Sequence, residues 1–323
     1  MTNKFLTLIL AGIILFIAFS CNQNQTTSEN SNETELSGDI SISGAFALYP
    51  MVVKWAEEFQ KINPKVRINV SAGGAGKGMT DVLQNMVELA MVSREIKEEE
   101  IKQGAWFVAV TKDAVLPTIN AANPVLTEIN KKGTTKDMIS MLYLDKKKQT
   151  WGKLFGTKCV ASVNVYTRSD ACGAAEMWAK FIGKKQEDLL GTGVFGDPGI
   201  ADAVKNDVNA IGFNNVIYAY DLKTRKLYPG LAILPLDLDG NGSIDNNENF
   251  YQCLDSVMAA ICSGKYPSPP ARDLYLVSKG KPTNPIVNAF IEWILTDGQK
   301  FIDEGGYVKL TDNILNEGIK KIK

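Results

Sequence analysis

The chain has 323 residues, 45% of them hydrophobic and 22% charged, with 35 Lys+Arg against 36 Asp+Glu. That balance excludes a strongly basic nucleic-acid binder, which carries a basic excess or stripe, while the length is enough for two lobes with separate cores. There is no histidine, so the usual general base, the commonest zinc ligand and every Ser-His or Cys-His nucleophile are missing, and most hydrolytic chemistry goes with them.

The chain begins MTNKFLTLILAGIILFIAFSC. Lys4 supplies a positive start, and Phe5 to Phe19 is almost unbroken apolar chain, short for a spanning helix of about 20 residues and suited to a signal peptide. Small Ser20 precedes Cys21, and the polar run NQNQTTSENSNETELSG follows. This pattern resembles a bacterial lipoprotein signal: residues 1–20 removed, lipid on Cys21, and a flexible tether over 21–38 that cannot bury enough apolar surface to order itself. An ordinary signal peptide or a single N-terminal anchor is the other reading. Each places the body outside the cytoplasm, where disulfides are permitted. Cys253 and Cys262, however, lie on one predicted helix about 13 Å apart along its axis, too far to bridge. No local bridge is expected for Cys159 and Cys172 either.

From residue 39 the pattern alternates strands and helices. DISIS (39–43) is a strand. Pro50 opens a helix whose core face is Val52, Trp55, Ala56 and Phe59, stopped at Asn63-Pro64. Val66, Ile68 and Val70 alternate as a strand running into Gly73-Gly74-Ala75-Gly76-Lys77-Gly78; a helix over 79–86 and a strand over 89–93 follow. FVAVTKDAVLPTIN (107–120) reads as a long strand crossing from one lobe to another. Further elements are the strand CVASVNVYTR (159–168), the strand DLYLVSKG (273–280), and a helical run over 285–306 with Pro at its start and Gly at its end. This rhythm predicts an α/β fold with its ligand at the carboxyl ends of strands. The glycine-rich loop is not a Walker A loop, because Gly78 stands where Ser or Thr is required. It is either a tight strand-to-helix turn or an anion cradle of backbone N–H groups.

The sharpest motif is D-L-D-G-N-G-S-I-D-N-N-E at 237–248. Asp237, Asp239, Asn241, Ser243 (through its carbonyl), Asp245 and Glu248 occupy the ligand positions of an EF-hand loop, with Gly242 at the sharp turn. The alternative is an acidic solvated turn. Because the preceding LAILPL reads as a strand, an isolated calcium loop followed by one helix is expected, acting as a structural staple.

SGAFALYPMVVKWAEEFQK, INVSAGGAGKGMTDVL, LAMVSREI, VYTRSDACGAAEMW, NAIGF, YPSPPARDLYLVSKG and the final GGYVKL follow one another in this order. Together they resemble the phosphate-binding receptors of bacterial ABC uptake systems, which are type II periplasmic binding proteins, over essentially all of 39–310. The resemblance implies an α/β, two-lobed fold, each lobe a mixed sheet flanked by helices, with two crossing segments: 39–118 and 228–323 as lobe 1, carrying the calcium loop, and 119–227 as lobe 2. It implies a monomeric receptor without catalysis that holds phosphate or another small anion between the lobes and passes it to an ABC permease.

The residues matching the family's ligand loops are Ala45 and Phe46; Gly74, Ala75 and Gly76; Ser93 and Arg94; Arg168 and Asp170; and Cys172, Gly173 and Ala174. Arg94 and Arg168 are the expected cations, from opposite lobes. Most of the family's hydroxyls are replaced by Ala, Phe or Cys. Each lost neutral hydrogen bond costs about 0.5–1.5 kcal/mol, so the pocket reads as remade, with an anion bearing an organic part as a second possibility. Asp170 either accepts a proton from the ligand or caps the following helix. Cys172 is either a small buried wall residue or a nucleophile at a helix start. An envelope sensor or scavenger of the same fold, without a permease, is the alternative function.

Overall fold

The computed structural model describes residues 35–323. The expected signal peptide, Cys21 and most of the tether lie outside these residues. No helix among the described residues is long and apolar enough to cross a membrane. Leu36–Lys323 forms one compact unit.

In chain order, β1 (Gly38–Gly44) leads to α1 (Tyr49–Ile62), which opens on Pro50 and buries Met51, Val52, Trp55, Ala56 and Phe59. Next come β2 (Val66–Ala72), α2 (Ala75–Leu83), β3 (Leu89–Val92) and α3 (Glu98–Lys102). The helix expected over 79–86 starts earlier, inside the glycine-rich loop, because Gly74 at φ +91° turns the chain directly into it. β4 (Ala105–Asn120) is followed by α4 (Leu126–Lys132), α5 (Lys136–Leu144), α6 (Trp151–Phe155) and β5 (Asn164–Arg168). The strand expected from 159 begins only at 164, since the backbone before it bonds to a neighbouring loop: Gly152 N–H donates to Cys159 O, Trp151 N–H to Ala161 O, and Val163 N–H to Gln149 O.

The chain continues through α7 (Gly173–Phe181), β6 (Thr192–Val194), α8 (Gly196–Asn206), β7 (Ala210–Asn215), α9 (Val216–Ala219) and β8 (Leu231–Ile233). It closes with α10 (Leu254–Cys262), β9 (Ala271–Lys279), α11 (Pro285–Leu295) and α12 (Asp312–Ile322). The helical run expected to 306 stops at Leu295; a 3-10 turn follows, where the Gln299 amide donates to Ile294 O and Val110 O.

The strands lie in the order β2-β1-β3-β9-β4-β7-β5-β6, with β8 also on β4. Parallel β1, β2 and β3 form one half and parallel β7, β5 and β6 the other, while β4 and β9 run antiparallel between them. β4 is the crossing strand anticipated at 107–120: Ala105–Ala114 pairs with β9, and Val115–Ile119 with β7. Two large cores result, one centred on Trp55, Phe59 and Phe290, the other on Tyr143, Trp178 and Phe213.

The cores correct one expected boundary. Residues 228–270 were assigned to lobe 1, yet Leu234, Leu236, Phe250, Tyr251, Leu254, Val257, Ile261 and Tyr266 are buried in the second core. β8 pairs with the far end of β4, and Tyr266 Oη donates to Val115 O there. The chain returns to the first lobe along β9, and the 237–248 loop belongs to the second.

Candidate functional site

The expected ligand residues converge where the lobes meet. Ala45 and Phe46 follow β1, Gly74–Gly76 join β2 to α2, Ser93 and Arg94 follow β3, and Arg168 ends β5 ahead of α7. These are carboxyl ends of parallel strands, where helix N-termini present backbone N–H groups. The lobes touch directly at this point. Gly76 N–H donates to Ala171 O at 3.1 Å, and a Cβ at Gly74 would stand 2.9 Å from both Ala171 O and Asp170 Oδ2. Gly173 packs on Ser93 so closely that a Cβ there would collide with its carbonyl and hydroxyl. Glycine is required at these positions because two backbones meet. The N-terminus of α2 thus receives a backbone carbonyl from the opposite lobe. Lys77 is turned away, pairing with Asp81, which also accepts from Ser43 Oγ.

Arg168 is the centre of the site. It is 5% exposed. Its Nε and Nη2 donate to the two oxygens of Asp170 at 2.8 and 2.6 Å, and Nη1 donates to Asp197 Oδ2 at 2.6 Å. The Phe46 ring lies 5.4 Å from the guanidinium carbon and meets Phe195 edge-on at 5.7 Å. Asp170 also accepts from Gly196 N–H. It does not cap α7: that position belongs to Cys172, whose Sγ accepts from Ala175 N–H at 3.4 Å. Burial, opposed by the Arg168 charge, pushes the Cys172 thiol up to about 12, which is the environment of an inert wall residue and not of a thiolate nucleophile. Ala45, Ala75 and Ala174 are buried and bring no hydroxyl.

Arg94, like Arg168, is held by carboxylates of the chain. Its guanidinium is bound by Glu100 at 2.9 and 2.6 Å, by the Glu95 carbonyl at 2.9 Å, and by Glu176 across the lobe boundary at 3.2 Å. These contacts direct it into a side cavity of about 430 Å³ with Lys97 and Gln186, so its work is to latch β3 and α3 to α7. Sequence reading missed Asp197, in the first turn of α8, and Tyr218, whose hydroxyl donates to Phe46 O at 3.0 Å. The strand-turn-helix GVFGDPGI, with an acid in the first helical turn, was the available signal for Asp197.

Beneath the site, Arg272 on β9 reaches Ser93 O, Asn215 Oδ1 and, at 3.6 Å, Asp113 of β4. Burial pushes the Asp113 carboxyl up to about 6, against the pull of Arg272.

On the far side of the second lobe, the 237–248 loop brings oxygens of Asp237, Asp239 and Glu248 within 4.8 Å of one another. Asn241 lies beside Asp239, with its amide on Asp239 Oδ2 and its Oδ1 accepting from Ser243 N–H. Asp245 stands outside the cluster and accepts from Asn247 N–H. α10 starts only at Leu254, so Glu248 lies in a turn and not in the helix. The four described cysteines are all free.

A PBP superfamily domain model matches residues 26–298. The chain belongs to the PBP superfamily. Among proteins of known role, it is 24% identical over 317 residues to the phosphate-binding protein PstS of Bacillus subtilis, covering 96% of this chain and 95% of that protein. It is also 24% identical to the PstS of Pseudomonas aeruginosa, over 89% and 88% of the two chains. Among solved structures, a putative phosphate ABC transporter substrate-binding protein from Clostridium perfringens, crystallised with phosphate, superposes with a TM-score of 0.68. That match has 23% identity and covers 85% of this chain and all of the other. The PBP superfamily fold accounts for the two halves of the sheet and the crossing strands.

Proposed function

We propose that this protein is an extracytoplasmic receptor that captures phosphate in the cleft between its lobes and presents it to an ABC permease, without catalysis, as a monomer anchored through lipid on Cys21. The observation that carries this reading is Arg168, buried at the lobe junction between two helix N-termini, in a chain whose full-length relatives are named phosphate-binding proteins. Opening of the lobes parts Gly76 N–H from Ala171 O and exposes the α2 N-terminus to the anion. Ser93, Gly74, Gly173 and Phe46 complete the lining, and Arg94 governs closure through Glu176.

The charge around Arg168 selects the protonation state. Asp170 and Asp197 already outnumber the single guanidinium, so a ligand that brings a proton to share with a carboxylate is favoured over one that brings only charge. Phosphate therefore stabilises the protein more than sulfate, and its affinity falls as pH rises and the dianion takes over. Thermal unfolding of the full chain in detergent, titrated with phosphate, sulfate, phosphonates and small carboxylates, tests this: a ligand at 100 times its Kd stabilises by about 2.7 kcal/mol. Equal shifts with sulfate and phosphate, or none with either, overturn the reading. The missing hydroxyls at Ala45, Phe46, Ala75 and Ala174 favour a second reading, an envelope sensor or scavenger for an organic anion; a shift with a phosphonate or carboxylate alone would select it.

A further inference from the structure

The 237–248 loop plays no part in anion capture, yet it concentrates buried negative charge. Asp237 is 4% exposed and Glu248 5%. Glu248 Oε1 accepts from Leu238 N–H at 2.6 Å, while Oε2 is buried without any hydrogen-bond partner. Asp237 accepts from Gly240 and Gly242 N–H at 2.8 and 2.9 Å, and both glycines adopt positive φ to allow this. Among the described residues no lysine or arginine pairs with Asp237, Asp239 or Glu248. Ionised carboxylates this close and this buried repel one another unless a proton or a cation lies between them.

We propose that this loop is a calcium site, with Asp237, Asp239 and both oxygens of Glu248 as the charged ligands and the Asn241 side chain and Ser243 carbonyl completing an all-oxygen shell. Glu248 brings a carboxylate oxygen within 4.8 Å of oxygens of Asp237 and Asp239, and its unpartnered Oε2 leaves it free to close the shell with both oxygens, as the bidentate ligand of such a loop does. A flexible loop rich in oxygen donors suits calcium. Magnesium demands a stricter octahedron and keeps its waters.

The flanking elements define what the ion does. A strand precedes the loop, and no helix begins at Glu248, so binding cannot lever two helices apart as in a sensor. Instead the loop is laid on the α4–α5 junction. Ile244 N–H donates to Lys131 O and Asp237 N–H to Thr134 O, each at 2.9 Å; Thr134 N–H donates to Pro235 O at 2.7 Å; and the Ile244 side chain covers Gly133. Calcium fastens this connection to the second lobe, independently of any ligand in the cleft.

The test is calorimetric titration of the EGTA-stripped full chain in detergent with calcium chloride and, separately, magnesium chloride, alongside thermal unfolding. One calcium should bind per chain with a Kd at or below about 1 mM, the range of extracellular loops, and raise Tm by several degrees, with magnesium far weaker. Glu248→Gln should weaken calcium at least about tenfold. In EGTA the same variant should be as stable as the parent or more so, since a buried charge is gone, and the order should reverse in calcium. Asp239→Asn, at an exposed position, repeats the affinity test should Glu248→Gln fold poorly. No heat and no Tm shift with up to 10 mM calcium (about tenfold above the weakest expected Kd), or an undiminished shift in both variants, overturns the proposal. Neither result depends on whether phosphate binds.

Discussion

Around Arg168 a buried cation is enclosed by two carboxylates and an aromatic ring, whereas around Glu248 three carboxylates, two of them buried, gather with no basic side chain paired to them among the described residues. In the first cluster three charge-assisted hydrogen bonds of 2.6–2.8 Å hold the guanidinium and compensate its desolvation. In the second, Glu248 Oε2 has no hydrogen-bond partner, and the proposed calcium would be its partner. The contrast teaches that burial of charge is not one signal. Where partners come from the chain, it marks an arrangement set by folding. Where several carboxylates meet and an acceptor atom is left over, the cluster becomes a candidate for a cation.

Between these extremes lies Asp113, buried with Arg272 3.6 Å away and no closer. Each of these three places can be broken separately. The largest effect is expected at Arg168. Arg168→Ala leaves Asp170 and Asp197 facing each other without a cation and should cost about 3–5 kcal/mol, read as a lowered urea midpoint, together with loss of the anion-induced Tm shift. A variant as stable as the parent would show that the two carboxylates are not held by this residue.

Asp113 gives the next effect, and it depends on pH. Its folded pKa of about 6 lies above its ordinary value of 3.8, so the folded state holds the proton more tightly than the unfolded chain. The associated stability is present below pH 4 and lost as pH rises towards 6, by roughly 3 kcal/mol. Asp113→Asn should remove that slope, so that the difference in unfolding free energy between the two proteins changes across pH 4–6 and is constant above it. A difference that is constant throughout would count against a raised Asp113. The smallest effect is at the latch between lobes. Glu176 is partly exposed, so Glu176→Gln should cost no more than about 0.2–1 kcal/mol. It should nonetheless shift the protein towards an open form, seen as a larger radius of gyration in solution scattering. An unchanged radius would mean that the Arg94–Glu176 contact at 3.2 Å does not hold the lobes.

The sequence made the architecture readable wherever the information was local. Pro50 and the Val52–Trp55–Ala56–Phe59 spacing located α1, alternation located β1 and β2, and the unusual length of 107–120 marked β4 as a crossing strand. The meeting of Phe46, Gly74, Arg168 and Gly173 followed from their positions after strands. What was not readable depended on partners far along the chain. Asp197 joins Arg168 from 29 residues away; GVFGDPGI marks it as an acid opening a helix, but only the fold brings it to Arg168. The partners of Arg94, Glu100 on α3 and Glu176 on α7, were likewise not readable from its local sequence. The family resemblance puts the return to the first lobe at 228, whereas Phe250, Tyr251 and Tyr266 pack into the second core, and the chain returns along β9.

β4 belongs to both halves of the sheet, and its pairing with β9 shifts register between Ala109 and Thr111. The change falls at Val110, the last β4 residue of the first core, just before Ala114, the first of the second. Val308 clamps the same spot, exchanging hydrogen bonds with Lys112 at 3.0 Å and accepting one from Thr111 Oγ1. A bulge concentrates twist at one point of an otherwise stiff ribbon. The two lobes therefore share continuous paired strands, pinned by Val308 close to where the register shifts, and any turn of one lobe against the other passes through β4 and β9.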